Sequence, residues 1–85
     1  MREQILRRDG YECQISRRYG KHVPADTVHH IFPLLDYPAY KLEPWNLISL
    51  SRAEHDKLHD RVTGQLTEAG LALMERTARL RGIEL

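Results

Sequence analysis

The sequence predicts a small α+β fold in which a short β-hairpin feeds a helix, with one further helix at each end. Three observations predict it. The segment 26-DTVHHIF-32 is rich in β-branched and aromatic residues and is stopped by Pro33, as a strand would be. The apolar run 46-NLISL-50 reads as a second short strand. It leads directly into 51-SRAEHDKLHDR-61, where Ser51 and Glu54 stand at capping-box spacing and open a helix.

The other elements follow in order. Residues 2 to 8 read as a helix with Ile5 and Leu6 on its buried side, Arg7 and Arg8 near its C-terminus, and Asp9-Gly10 closing it. Residues 11 to 22 are irregular and polar, with Gly20 among them, which suits a loop or a weak hairpin. Pro24 restricts the backbone ahead of the first strand. Between the strands, residues 33 to 45 hold Pro33, Pro38 and Pro44 among Leu34, Leu35, Tyr37, Tyr40, Leu42 and Trp45. That mixture describes an ordered loop pinned by apolar side chains. Gly64 ends or follows the helix of residues 51 to 61. Thr67 then caps a final helix, residues 67 to 81, with Leu66, Leu73, Met74 and Leu80 as its apolar stripe.

With 85 residues the chain is expected to form one domain. Such a chain buries only roughly 60% of the surface its unfolded form exposes, so a metal or a partner subunit is a natural source of added stability. Cys13 is the only cysteine, which excludes an intrachain disulfide and a four-thiolate zinc site. No apolar run reaches membrane-spanning length and the N-terminus lacks a secretory signal, so a cytoplasmic protein with no membrane partner is expected. Net charge is +1, which argues against undirected attraction to nucleic acid over the whole surface. Residues 1 to 22 nevertheless carry a local excess of +3, from Arg2, Arg7, Arg8, Arg17, Arg18 and Lys21 against Glu3, Asp9 and Glu12. That excess suits either phosphate contact or a solvated helix and loop.

The chemistry lies in the histidines. His55 and His59 are four apart on the expected helix, so their rings share one face about 6 Å apart along the axis. An isolated pair of this kind is ordinarily two polar residues on a solvated face. Here a strand carries His29 and His30 as well, and Asn46 stands just before the strand that feeds the helix. Adjacent strand residues point to opposite faces, so His29 and His30 should not share one task.

Three segments, 28-VHHIFPL-34, 46-NLISL-50 and 55-HDKLH-59, resemble in order and spacing the HNH family of ββα-metal (His-Me finger) nucleases, and most of all the small HNH endonucleases of bacteriophages and prophages. The likeness runs over roughly residues 7 to 61. It implies a metal-dependent DNA endonuclease that hydrolyses phosphodiester bonds, nicking or cutting double-stranded DNA with little sequence specificity of its own. By the resemblance His29 is a metal ligand, His30 the general base, and Asn46 the residue that hydrogen-bonds across the motif's loop and holds the base in orientation. His55 is the helix ligand, and His59 takes the place of a further ligand. One divalent ion is implied, Mg²⁺, Mn²⁺, Ni²⁺ or Zn²⁺, with positions left for water and a phosphate oxygen.

The elementary chemistry agrees. An imidazole with an ordinary pKa near 6.5 accepts a proton from water at neutral pH if a hydrogen bond fixes its other nitrogen, and a metal-bound imidazole cannot. Lys57, Arg52 and Arg61 accompany the ligands as candidate phosphate contacts, Lys57 foremost. Glu54 and Asp56 are placed to orient an imidazole, although capping claims Glu54 first. Trp45 is expected to pack the loop against the core.

The sequence departs from the family where many members hold a structural zinc with two C-x-x-C pairs. The corresponding segments read 13-CQIS-16 and 51-SRAE-54, so no structural zinc is expected and Cys13 becomes a small buried residue. The alternative to a nuclease is an inactive metal-binding module with the same fold that contacts DNA or protein. A small metal-stabilised domain unrelated to HNH proteins leaves His30 and Asn46 unexplained, and a helix-turn-helix reader is broken by the central proline-rich loop. Phage relatives suggest by analogy a terminase or portal protein as partner and a bacterial host cell as setting. The last helix suits either intramolecular packing or a homodimer.

Overall fold

The computed structural model describes residues 1–85. Helix α1 is Arg2–Arg8, with Glu3 in its first turn and Arg7 and Arg8 in its last, the arrangement that complements the helix dipole. Its buried residues are Ile5 and Leu6, as expected. Strands β1 (Thr27–His30) and β2 (Leu47–Leu50) form an antiparallel pair in which His29 lies opposite Ile48 and His30 opposite Leu47. Ile31 continues the ladder by one bond, donating its N–H to the Asn46 carbonyl at 2.8 Å. Beyond it the chain turns inward, so β1 is shorter than its β-forming composition suggested.

Helix α2 (Gln14–Arg18) was not legible in the sequence, which pointed to a loop or weak hairpin there. Five residues hold too few apolar positions to display a period. The hairpin expectation survives in part: Glu12 and Pro24 form an isolated antiparallel bridge that closes the segment around α2.

Packing of α1 onto β2 rests on polar contacts as much as apolar ones. Asp9 is buried; its carboxylate takes two hydrogen bonds from Arg8, at 2.9 and 3.0 Å, and one from the Ser49 N–H at 3.0 Å. Burial alone would raise its pKa. The bonds from Arg8 and Ser49, with the Arg8 charge, outweigh that and hold it below the usual carboxylate value. Arg8 also reaches the carbonyls of Pro44 and Leu47, at 2.8 and 2.7 Å, so it ties α1 to the start of β2 and has no free donor fork for phosphate.

The core joins Cys13, Ile31, Phe32, Ile48, Leu50, Leu58, Leu73 and Ala78. Phe32 is fully buried, with the rings of Tyr37, Tyr40 and Trp45 edge-on at 5.0, 5.4 and 5.7 Å. That aromatic cluster anchors the proline-rich loop, which makes two 3₁₀ turns at Pro38–Tyr40 and Pro44–Asn46. Leu34, Leu35 and Leu42 do not take part: all three are exposed, Leu35 at 95%.

Helix α3 is Arg52–Asp56, five residues instead of the expected run to residue 61. Ser51 caps it through its hydroxyl, which accepts the Glu54 N–H at 3.3 Å, while the Glu54 carboxylate turns to Lys57 instead of back to the cap. A competing turn ends the helix. The Asp60 carboxylate accepts from the N–H groups of Val62 and Thr63, at 2.8 and 3.0 Å, and Gly64 follows with φ +74°. Such a local bond competes with helix continuation, and the β-branched pair Val62-Thr63 adds little resistance. The chain doubles back and His59 pairs with Leu66 across an isolated antiparallel bridge.

Helix α4 is Glu68–Arg81, capped by the Thr67 hydroxyl on the Gly70 N–H. It closes at Gly82, whose φ of +69° lets the Ile83 N–H reach the Ala78 carbonyl at 2.9 Å. Leu73 and Ala78 are buried, whereas Leu80, expected in the apolar stripe, is 75% exposed. Gly70 touches the backbone: a Cβ there would lie 2.5 Å from the Leu58 carbonyl oxygen. Gly70→Ala should therefore lose stability, by about 1–2 kcal/mol, although alanine is the better helix former by about 1 kcal/mol. Thermal unfolding checks this, and a variant as stable as the parent would refute the close approach.

Candidate metal centre

His29 is 2% exposed and sits on β1 facing α3 and the segment after it. The ring centroids of His29, His55 and His59 form a near-equilateral triangle, at 5.3, 5.1 and 5.1 Å. One nitrogen from each lies within 4.8 Å of the other two. Nitrogens bound to one ion at about 2.1 Å in tetrahedral geometry stand about 3.4 Å apart, so the half-exposed His55 and His59 have to close in by up to roughly 1.4 Å to bring all three into range.

The chemistry of the donors suits such an ion. His29 Nε2 is the buried side-chain nitrogen or oxygen left with no hydrogen-bond partner. A buried group of that kind costs stability unless something satisfies it. Burial, followed by the nearby His59, His55 and His30, pushes the His29 pKa down to about 3. Burial and His55 also lower that of His59. His29 and His59 are thus biased towards neutral imidazoles with lone pairs available.

His30, the next residue on the strand, is not part of the trio. Its Nε2 lies 3.1 Å from the Lys41 carbonyl oxygen, which can only accept, so Nε2 carries the proton and Nδ1 is the unprotonated nitrogen. All four histidines open on one cleft of about 790 Å³, with Leu34, Leu35, Leu71 and Met74 also along it.

Asn46 is completely buried, and its side chain forms no hydrogen bond to a histidine. Its Oδ1 accepts from the Phe32 N–H at 2.7 Å, and its Nδ2 donates to the carbonyls of Phe32 and Tyr40, at 3.3 and 3.1 Å. It staples the end of β1 to the loop that presents the Lys41 carbonyl to His30. Asn46→Ala should cost about 2–3 kcal/mol, because Phe32 N–H loses its only acceptor in a dry interior. Urea unfolding is the readout, and a loss under about 0.5 kcal/mol would contradict the staple.

The HNH endonuclease of the deep-sea thermophilic bacteriophage GVE2, solved with a manganese ion, is similar to this chain at 38% identity and a TM-score of 0.60. The similarity covers 61% of this chain and 56% of that one, little more than half its length. That similarity supports an HNH family for the chain, close to the phage HNH endonucleases. Its fold is the ββα-metal arrangement of that family, a two-stranded antiparallel hairpin followed by a helix. No protein-family model matches the sequence, and no curated protein matches it.

Within this HNH fold the remaining charged candidates do not line the cleft. Arg52 and Arg61 are exposed and have no partner in the protein. Lys57 is exposed but pairs with Glu54 at 3.1 Å. The Asp56 carboxylate stands 3.8 Å from His55 Nδ1, too far for a hydrogen bond.

Of positions 13, 16, 51 and 54, the structure brings Cys13, Ser16 and Ser51 together. Cys13 is fully buried, and hydrogen bonding from Ser16 and Ser51 lowers its pKa against the opposing effect of burial. Glu54 is turned towards Lys57.

Two contributors went unseen in the sequence. The Lys41 carbonyl is a main-chain group in a loop and carries no residue-type signal. Thr67 was recognisable as a cap, but its hydroxyl also donates to the Lys57 carbonyl at 2.7 Å while its N–H reaches the Leu58 carbonyl at 2.9 Å. Those bonds hold the segment carrying His59 against the start of α4. No helix of the chain is long and apolar enough to cross a membrane.

Proposed function

We propose that residues 1–85 form a single HNH endonuclease domain, with its core motif over about residues 26–61, that hydrolyses phosphodiester bonds in double-stranded DNA. The observation that carries this reading is the division of labour between neighbours: His29 joins a three-histidine cluster with an orphaned buried nitrogen, and His30 stands outside it with one nitrogen fixed. The similarity to a nuclease solved with manganese adds to it.

In this reading His29, His55 and His59 hold one divalent ion, with Mg²⁺, Mn²⁺, Ni²⁺ and Zn²⁺ as the candidates. When bound, such an ion supplies Lewis-acid stabilisation to the phosphate and the departing oxygen. His30 is the general base. The Lys41 carbonyl holds the proton on Nε2, so Nδ1 takes the proton of the attacking water. Asn46 is a positioning residue that acts through the loop bearing that carbonyl. Arg52 and Arg61, with Lys57 released from Glu54, contact flanking phosphates. The residues at positions 13, 16, 51 and 54 are assigned no structural zinc.

The test is relaxation of supercoiled plasmid by the purified protein with each ion in turn and with EDTA. Ion-dependent nicking or linearisation is expected. Protein that binds the ions yet cuts DNA with none of them is an inactive HNH-fold module.

A further inference from the structure

The basic excess at the start of the chain has no part in the histidine site, and the fold gathers much of it beside the end of α4. A groove of about 590 Å³ is lined by Arg8, Arg17, Arg18 and Arg81, with Trp45 and Ile48 among its other residues. It shares no lining residue with the histidine cleft: β1 supplies strand residues to the cleft, whereas β2 supplies Leu47 and Ile48 to the groove. Arg8 is committed to Asp9 and to main-chain carbonyls. The side chains of Arg17, Arg18 and Arg81 make no hydrogen bond and no ion pair, and the single ion pair within the groove is Arg8 with Asp9. The Arg81 guanidinium lies 4.7 Å from the Trp45 ring centroid, which holds it over the groove by its flat face and leaves its N–H groups without acceptors. Arg18 is partly desolvated and faces Arg76 of α4, a like charge that lowers its pKa further.

Cations brought together without a counter-charge repel, and an anion in their midst relieves that repulsion. The one carboxylate lining the groove, Asp9, is already bonded, so the uncompensated charges there are guanidiniums. Planar guanidiniums match phosphate oxygens in pairs. We propose that this arginine groove is a second DNA contact, taking backbone phosphates of the duplex that flanks the segment held at the histidine cleft. The proposal rests on the reading of DNA as substrate. Scale permits it: the longest dimension of the molecule is 31 Å, and one helical turn of duplex spans about 34 Å.

The test is binding of 25-base-pair and 8-base-pair duplexes by fluorescence anisotropy in EDTA, across a range of KCl concentrations. The variants are R17Q/R18Q and, separately, R76Q/R81Q. Each double variant should bind the long duplex roughly tenfold more weakly at low salt and flatten the salt dependence by about one to two charges, with little change for the short duplex. Unchanged affinity and salt slope overturn the groove. Weaker binding to polyglutamate with unchanged duplex binding also overturns it, assigning the groove to acidic peptide instead. If R76Q/R81Q fails to fold by circular dichroism, the exposed pair on α2 carries the test alone. Plasmid cleavage by the parent protein is scored independently. Cutting with variants that bind normally removes the groove and leaves the nuclease, whereas no cutting with variants that lose salt slope removes the nuclease and leaves the groove.

Discussion

His30→Ala is expected to cut plasmid roughly 10²–10⁴-fold more slowly than the parent, the usual contribution of a positioned general base. The substitution removes the imidazole whose Nε2 is tied to the Lys41 carbonyl and whose Nδ1 is free. It leaves His29, His55 and His59 in place, so the ion affinity measured by titration calorimetry should change little. Folding should also survive, because His30 is only partly buried and its lost bond leaves a loop carbonyl that water can reach. Cleavage at the parent rate, with ion binding and folding intact, would remove His30 from the mechanism. Loss of ion binding would place it among the ligands instead.

The second large effect concerns His29 and runs in opposite directions for stability and function. His29→Leu should abolish tight ion binding, since two half-exposed imidazoles remain. In metal-free buffer the same variant should be more stable than the parent by about 1–3 kcal/mol, because a buried nitrogen without a partner is replaced by an apolar group of similar size.

The pH dependence follows from the same residue. An unfolded chain protonates this histidine near pH 6.5, while burial and the neighbouring histidines delay protonation in the folded protein to about pH 3. The metal-free parent therefore keeps its full stability above pH 6.5. It loses stability as pH falls from there towards 3, by up to about 1.4 kcal/mol per unit from this group, with His59 adding to the loss. Asp9 adds its own loss only as pH falls through the ordinary carboxylate value of 3.8. In His29→Leu the decline between pH 6.5 and 4 should be shallower. Urea unfolding in EDTA at pH 7, 6 and 5 measures it, and equal slopes for parent and variant would contradict the buried, neutral state of His29. Added ion at a hundredfold excess over its dissociation constant should return about 2.7 kcal/mol to the parent and nothing to the variant.

What the sequence determined by itself lies in short-range chemistry. The β-branched run at Thr27–His30, the second strand at Leu47–Leu50, the serine cap of α3, the threonine cap of α4, and the burial of Ile5, Leu6 and Cys13 all follow from residue type and spacing. So does the separation of His29 from His30, because a strand sends neighbours to opposite faces.

Other features were decided by contacts between distant segments. His59 was expected on the same helix as His55, yet α3 ends at Asp56 and His59 reaches the cluster from a bridge to Leu66. Helical spacing and a returning chain bring the two rings together equally well, so the histidine pair was legible where its geometry was not. The length of α3 was settled by the Asp60 turn and by Gly70, which lets α4 approach the Leu58 carbonyl. The orientation of His30 depends on a main-chain oxygen that Asn46 helps to place from within the core. The arginine groove joins residues more than sixty positions apart in the chain. The division has one physical source: caps, strands and turns are set by neighbours along the chain, whereas a buried nitrogen, a backbone carbonyl or an unpaired cation acquires its role only from what folding brings next to it.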